Sequence, residues 1–391
     1  MTPLRLLTFS TLFPDSVRPN HGVFVENRLR HLVASGAAVS TVLAPVPWFP
    51  SGNPRFGAYA RFAAVPRFER RHGLAVHHPR FLVIPKFGMS VAPALLYWAA
   101  RRALSRLVAD GFEFDAIDAH YVYPDGVAAV RLGRAFGKPV VITARGSDVT
   151  ELPDYAGPRR QIEAALRAAD HLIGVSASLC GCMVALGADP GKVTALRNGV
   201  DTQVFQPLDR AAARSALGLT RRTLISVGNL VARKRNHLTI AAMAELPEFD
   251  LLLVGDGPER LRLEALVDEL NLRPRVRFLG AQPHHRLPEF YSAADAMVLA
   301  SSREGWANVL LESMACGTPV IASNIEMNAE VLQSPAAGRL AEATPAGIAA
   351  AARALFATEP DRAATRAYAE PFSWEATTHG QIEIFRRVVG A

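Results

Sequence analysis

The feature that most constrains this chain is an alternation that runs through it twice. Short apolar runs alternate with helix-like stretches. In the first half the strand candidates are "LRLLTFS", "AAVSTVLAP", "AIDAH", "PVVITARG" and "HLIGVS". Between them lie helical candidates such as "VENRLRHLVASG" and "DGVAAVRLGRAFG", closed by Gly36 and Gly137, residues suited to a left-handed C-cap. After the turn-rich connector "RNGVDTQVFQPLDR" the style begins again with "TLISVGN", "FDLLLVGDG", "VRFLG" and "DAMVLAS". Strands separated by helices predict parallel sheets covered on both faces. At 391 residues the chain exceeds what one core usually serves, so two doubly wound α/β domains are expected. The expected boundaries are residues 1–200 and 201–370, followed by a helical segment over 371–391.

Composition narrows the class. Half of the residues are apolar and a fifth charged, an ordinary globular balance. The best candidate for a membrane span, Phe87 to Ala100, is interrupted by Pro93 and stops at Arg101, short of the roughly 20 apolar residues a span needs. The amino terminus reads as a buried strand rather than a leader, so a cytoplasmic location is expected. Cys180, Cys182 and Cys316 have neither redox nor zinc spacing and are expected to be structural.

The charge is uneven. Residues 1–200 hold 23 Lys and Arg against 14 Asp and Glu, and the remainder 20 against 22. Within the first half, Arg55 to Arg106 carries ten basic residues and one acid, Glu69, interleaved with Phe56, Phe62, Phe68, Phe81, Phe87, Tyr97 and Trp98. Such a stretch suits an anionic membrane surface, each cation near the headgroups contributing about 1 kcal/mol. A solvated face over ordinary core aromatics explains it equally well. No nucleic-acid-binding module accompanies the charge.

The densest chemistry lies in "REGWANVLLESMACGTPV", residues 303–320. In doubly wound sheets ligands gather beyond the carboxyl ends of strands, where loops enter helices. Here "DAMVLAS" is the strand, "SREGW" the loop and "ANVLLESMACG" the helix, which puts Glu304 in the mouth of such a site. Glu312 falls about one and a half turns inside the helix, at roughly 3.6 residues per turn. A carboxylate before a helix also complements the macrodipole, by about 0.3 to 1 kcal/mol. That accounts for Glu304 alone, not for Gly305 or a second carboxylate.

Glu304 and Glu312 inside "EGWANVLLESMACGTPVIAS", together with "NHGVFVENRLRHL", "DAHYVYPDGVAA", "PVVITARGSDV", "RNGVD", "VGNLVARK", "LLLVGDGPE" and "VRFLGAQP" in that order, resemble the retaining glycosyltransferases of family 4. The resemblance covers nearly the full chain. It implies the GT-B fold, two Rossmann-like domains facing a central cleft, with a nucleotide-sugar donor mainly on the second, an acceptor on the first and a final helix crossing back. It implies that Glu304 holds hydroxyls of the transferred sugar, Glu312 the nucleotide ribose and Lys234 the diphosphate, with no metal or other cofactor. Arg233, Gly305, Trp306 and Asn308 are implied beside the donor, and His120 near the reacting sugar. Gly22 corresponds to a glycine loop that meets phosphate or acceptor, or is a plain turn glycine.

Two departures from the family pattern stand out. Asn229 occupies a place where many relatives have arginine, and Arg233 of the same loop is a candidate to supply the charge. Arg145 stands where many have histidine, and either meets a phosphate of donor or acceptor or pairs with Asp148 or another acid. The function implied is sugar transfer to a glycan or lipid-linked acceptor; the basic aromatic stretch adds the expectation of a peripheral enzyme of cell-surface polysaccharide synthesis, at the inner face of a membrane. A sugar-nucleotide epimerase of the same architecture would change the donor without an acceptor, and a non-catalytic carbohydrate-binding protein would tolerate loss of Glu304. A nicotinamide enzyme is disfavoured, since neither half has GxGxxG after its first strand.

Overall fold

In the computed structural model, which describes residues 2–83 and 88–390, the chain divides into two compact units. The first comprises residues 1–198 and 375–391, the second residues 199–374.

The first unit is built on β1 (Leu4–Phe9), β2 (Ala38–Leu43), β4 (Phe68–Arg71), β5 (Leu74–His77), β7 (Ala116–His120), β8 (Val140–Ala144), β9 (His171–Gly174) and β10 (Val193–Ala195). Their order is β10-β9-β8-β7-β1-β2-β5-β4. All neighbours are parallel except β4, which returns antiparallel to β5 across a left-handed turn at His72 and Gly73. A short pair, β3 (Val46–Pro47) and β6 (Arg80–Phe81), lies beside them. The strands β3 to β6 are not among those expected from sequence. They are short and only partly buried, so the largely apolar run of β8 and the full burial of β7 and β8 are missing from them. Much of the basic stretch is thus an edge hairpin followed by the long helix Gly88–Ala109, while Lys86 and Phe87 lie outside the described residues.

The core of this unit packs Leu4, Leu6, Ala116, Val141 and Ile173 with Ile384 and Phe385. The helix Trp374–Val389 therefore contributes its apolar stripe to the first sheet, and Thr377 is hydrogen-bonded to the Arg197 carbonyl. Among the described residues no helix is long and apolar enough to cross a membrane. Cys316 is buried, whereas Cys180 and Cys182 are half-buried.

The second unit has β11 (Arg222–Val227), β12 (Phe249–Val254), β13 (Val276–Gly280), β14 (Ala296–Leu299), β15 (Val320–Ser323) and β16 (Gly338–Ala341), in the order β13-β12-β11-β14-β15-β16, all parallel. Buried Leu224, Leu251, Leu253, Val298 and Ile321 give one sheet face an apolar surface that the helices Asn236–Ala242 and Pro345–Leu355 cover. The order reverses between β11 and β14, so their exit loops diverge and leave a crevice at the carboxyl edge. In the first sheet the same reversal lies between β1 and β7.

Glycine lets the chain crowd beside the reversal in the second sheet. Gly255, at φ 141°, sits so close to the β11 exit that a Cβ would lie 1.9 Å from the Gly228 carbonyl oxygen. Only a residue without a side chain allows that approach. The loops after β11 and β12 consequently pack backbone to backbone, with Leu230 N bonded to Asp256 O.

Candidate active site

At the reversal in the second sheet, β11 leads through Gly228 and Asn229 into a tight turn at Ala232–Lys234 and then the helix Asn236–Ala242. Arg235, left-handed at φ 49°, joins turn to helix. The neighbouring β14 leads through residues 300–307 into the helix Asn308–Ala315. The loops are tied at one carbonyl: Arg233 O accepts from both Ser302 N (2.8 Å) and Ser302 Oγ (3.2 Å). That bond fixes Lys234 opposite Glu304.

The Lys234 ammonium donates to Glu304 Oε1 at 2.7 Å, with both side chains about nine-tenths shielded. Arg233, half exposed, approaches the other carboxylate oxygen at 3.5 Å. Burial pushes the Glu304 carboxyl up, but the charge and hydrogen bond of Lys234 act the other way and hold it below the usual glutamate range. The site is therefore charged at neutral pH. Lys234 Nζ also lies over Gly228, 3.8 Å from where a Cβ would stand, so the amine faces the glycine exit of β11. Asn229 is exposed at that exit and Gly305 half-buried in the facing loop. Trp306 is buried against Phe372, ring centroids 6.5 Å apart. Asn308 is the first residue of the helix, whose start has no side-chain cap.

Glu312 is buried four residues further on, and the structure gives it other partners than Glu304 has. His284 Nε2 lies 3.1 Å from its Oε1, and the Tyr291 hydroxyl donates to its Oε2 at 3.1 Å. Phe205 closes the edge of the His284 ring at 5.0 Å. Burial pushes the imidazole down, yet the hydrogen bond and charge of Glu312 outweigh it and hold its pKa above the ordinary value. Each carboxylate oxygen keeps a second lone pair, so Glu312 can still accept from a ligand hydroxyl.

The remaining sequence-derived residues belong to the first unit. His120 ends β7, fully buried, with Nε2 3.2 Å from Asp118 Oδ2 and Nδ1 accepting from Arg145 Nη2 at 2.7 Å. Burial drives its pKa to about 4, and the Arg145 charge reinforces this against Asp118. The ring is neutral, with its proton on Nε2. In this arrangement neither nitrogen is offered to a ligand, so the geometry fits a ring that positions Asp118 and Arg145. Arg145 does not use its side chain on Asp148, the alternative open in the sequence. Its guanidinium bonds His120 and Asn198 (3.0 Å) and lies over the Phe24 ring at 5.3 Å. Asp148 instead accepts from the main-chain amides of Val122, Arg145 and Gly146. Gly22, left-handed at φ 71°, precedes the helix Val23–Ala34, and a Cβ there would stand 2.3 Å from Leu12 O. Its immediate duty is close packing against the β1 exit loop.

Family models match both halves: "Glycosyltransferase Family 4" over residues 21–204 and "Glycosyl transferases group 1" over residues 209–371. A D-inositol 3-phosphate glycosyltransferase of Mycobacterium tuberculosis is 31% identical over 301 residues. This chain belongs to the group 1, family 4 glycosyltransferases. The mycobacterial match spans 71% of this chain and 62% of that relative, less than two thirds of its length. Among solved structures, sucrose-phosphate synthase from Thermosynechococcus elongatus superposes with a TM-score of 0.82 at 22% identity, covering 99% of each chain. Anabaena HepE in complex with UDP gives 0.73 at 18%, covering 97% of this chain and 98% of its own. The fold of this family 4 chain is GT-B.

His284, Tyr291 and Ser302 escape a sequence reading of the family 4 pattern, because their partners stand 28, 21 and 69 positions away in other elements. No local periodicity encodes such meetings. The His284–Glu312 pair makes a pH-dependent contribution to stability. With the folded pKa above its ordinary 6.5, the contribution is full below that value and is lost as pH rises through the folded pKa. In urea titrations from about pH 5.5 to about 8.5, the wild type should lose stability relative to Glu312→Gln as pH rises. Parallel curves would remove the pair from this role.

Proposed function

We propose that the protein is a retaining, metal-independent glycosyltransferase that moves a hexose from a nucleotide-sugar to a hydroxyl of a glycan or lipid-linked acceptor. The observation that carries this reading is the shielded Lys234–Glu304 pair at the β11/β14 reversal, 2.7 Å between Nζ and Oε1. A buried lysine beside glycine-lined strand exits suits a diphosphate, whose negative charge grows as it leaves. Glu304 would then accept from hydroxyls of the sugar, and Glu312, steadied by His284 and Tyr291, from the ribose.

The bond from the sugar's anomeric carbon to the diphosphate oxygen breaks as the acceptor oxygen attacks from the same face. The acceptor's proton passes to the departing oxygen, so configuration is kept and charge balances. Lys234 would supply the stabilisation that a metal ion supplies elsewhere. The solved complexes of Anabaena HepE with UDP and UDP-glucose make a uridine nucleotide the first donor to test. Acceptor recognition falls to the first unit in this reading.

Purified protein incubated with a panel of nucleotide sugars should release nucleoside diphosphate and transfer sugar, with no loss in EDTA. Lys234→Ala and Glu304→Ala should each reduce transfer at least tenfold, equivalent to about 1.4 kcal/mol of transition-state stabilisation. Near-normal turnover in either variant removes that residue from its role. Inversion of the donor's stereochemistry without acceptor would favour an epimerase.

The same reading places the enzyme at the inner face of an anionic membrane, in cell-surface polysaccharide synthesis. Its support is the set of exposed apolar side chains on the basic stretch, among them Phe56, Tyr59, Leu82, Val83, Met89 and Trp98. Arg55 lies over the Phe56 ring at 4.7 Å and Arg101 over Trp98 at 5.6 Å, so cations and rings are already paired at the surface. In liposome flotation the protein should rise with anionic vesicles and stay behind with neutral ones. Equal recovery in the soluble fraction would reject membrane association.

A further inference from the structure

A second concentration of positive charge lies in the first unit, apart from His120 and Arg145. A surface hollow of about 770 Å³ opens between the edge hairpin, the β5–β6 connection and the carboxyl half of the helix Gly88–Ala109. Its lining includes Arg67, Arg80, Arg102 and Arg106. On the helix, Ala99, Arg102, Ala103, Arg106 and Leu107 repeat at three and four residues and therefore share one face. The alanines leave room and the arginines rim it.

Arg102 and Arg106 stand one turn apart, a like-charge spacing that destabilises a helix by about 0.2 to 0.5 kcal/mol when nothing offsets it. Two more arginines are brought to the same hollow from other elements. Among the described residues, Arg67, Arg102 and Arg106 form no ion pair. Asp110 is the one acid on the lining; of the nearby acids, Glu69 is taken by His78 and the Ser16 amide, and Asp15, whose charge favours the Arg80 cation, is paired with Arg18. Arg80 gives Nη2 to the Val65 carbonyl, while its Nη1 is shielded from solvent without a hydrogen-bond partner. Burial first, and then the Arg67 charge, hold the Arg80 guanidinium below its ordinary pKa. His77, also on the wall, is held below its ordinary pKa by burial and by His78, so it adds little positive charge at neutral pH. Four arginines against the single acid Asp110 line an open volume, and one of them keeps an orphaned buried N–H, so the hollow carries an excess of positive charge.

We propose that this hollow is a binding site for a ligand bearing two or more phosphate charges, such as a diphosphate or bisphosphate group. It is separate from the donor site of the second unit and does not rest on the transferase reading. The phosphates come either from a soluble molecule or from a lipid headgroup, and the chemistry of recognition is shared.

Calorimetric titration of the full chain with inorganic pyrophosphate tests it. Arg102→Glu/Arg106→Glu, two exposed positions, should weaken binding at least tenfold, as should Ala103→Glu, which keeps every arginine but fills the hollow with an opposing charge. Lys234→Ala removes binding at the donor site and should leave a component that the hollow variants abolish. Unchanged pyrophosphate binding in both hollow variants, with thermal unfolding like the wild type, overturns the proposal. Sedimentation with phosphatidylglycerol vesicles then separates the sources. Vesicle binding that pyrophosphate displaces and the hollow variants lose assigns a lipid phosphate. Pyrophosphate binding that the variants lose, with vesicle binding unaffected by them, assigns a soluble one.

Discussion

The second unit is organised around one ion pair, Lys234 with Glu304, held between loops that leave adjacent strands in opposite directions. Its position follows from the strand order: β11 and β14 are neighbours in space but separated by two intervening strands in the chain, so their exits part and leave a crevice. The Ser302-to-Arg233 bonds and the glycine contact of Gly255 with Gly228 then fix the distance across it. Removing one member of such a shielded pair leaves a buried charge uncompensated, typically a loss of about 3–5 kcal/mol.

The first unit follows a different rule. At its own reversal, between β1 and β7, the polar side chains are turned inward: Asp118, His120, Arg145 and Asn198 bond one another, and Asp148 and Asp125 bond main-chain amides. Two buried arginines, Arg28 and Arg145, share Asp118 as a counter-charge, and burial lowers the pKa of both. Asp125, buried against Thr11, is pushed up to about 7. This network shapes the loops that leave β1, β7 and β8, and it keeps its charge out of solvent. The basic surface of this unit lies elsewhere, on the hairpin and on the helix Gly88–Ala109.

Strands β7, β8, β11, β12 and β14 were legible in the sequence because each is buried along most of its length and reads as a short, largely apolar run between helix-like stretches. The placement of Glu304 before a helix was legible for the same reason, since the strand that delivers it is unmistakable. The hairpin β4–β5 was not, because an edge that is half-exposed carries charged residues where a central strand cannot. The partners of Glu312 and of Arg145 were beyond reach as well. Arg145 had two open readings, and which neighbour takes its side chain depends on Asp148 being consumed by three backbone amides, a fact of loop conformation rather than of spacing.

The central claim is that the lysine freed from Glu304 meets the diphosphate of a nucleotide. Calorimetric titration with UDP, which has the phosphates and lacks the sugar, tests it without requiring an acceptor. Glu304→Gln should bind UDP at least as tightly as the wild type, because Lys234 no longer has to leave a carboxylate, whereas Lys234→Ala should bind it at least tenfold more weakly, about 1.4 kcal/mol. Weaker binding in Glu304→Gln together with unchanged binding in Lys234→Ala would contradict the account.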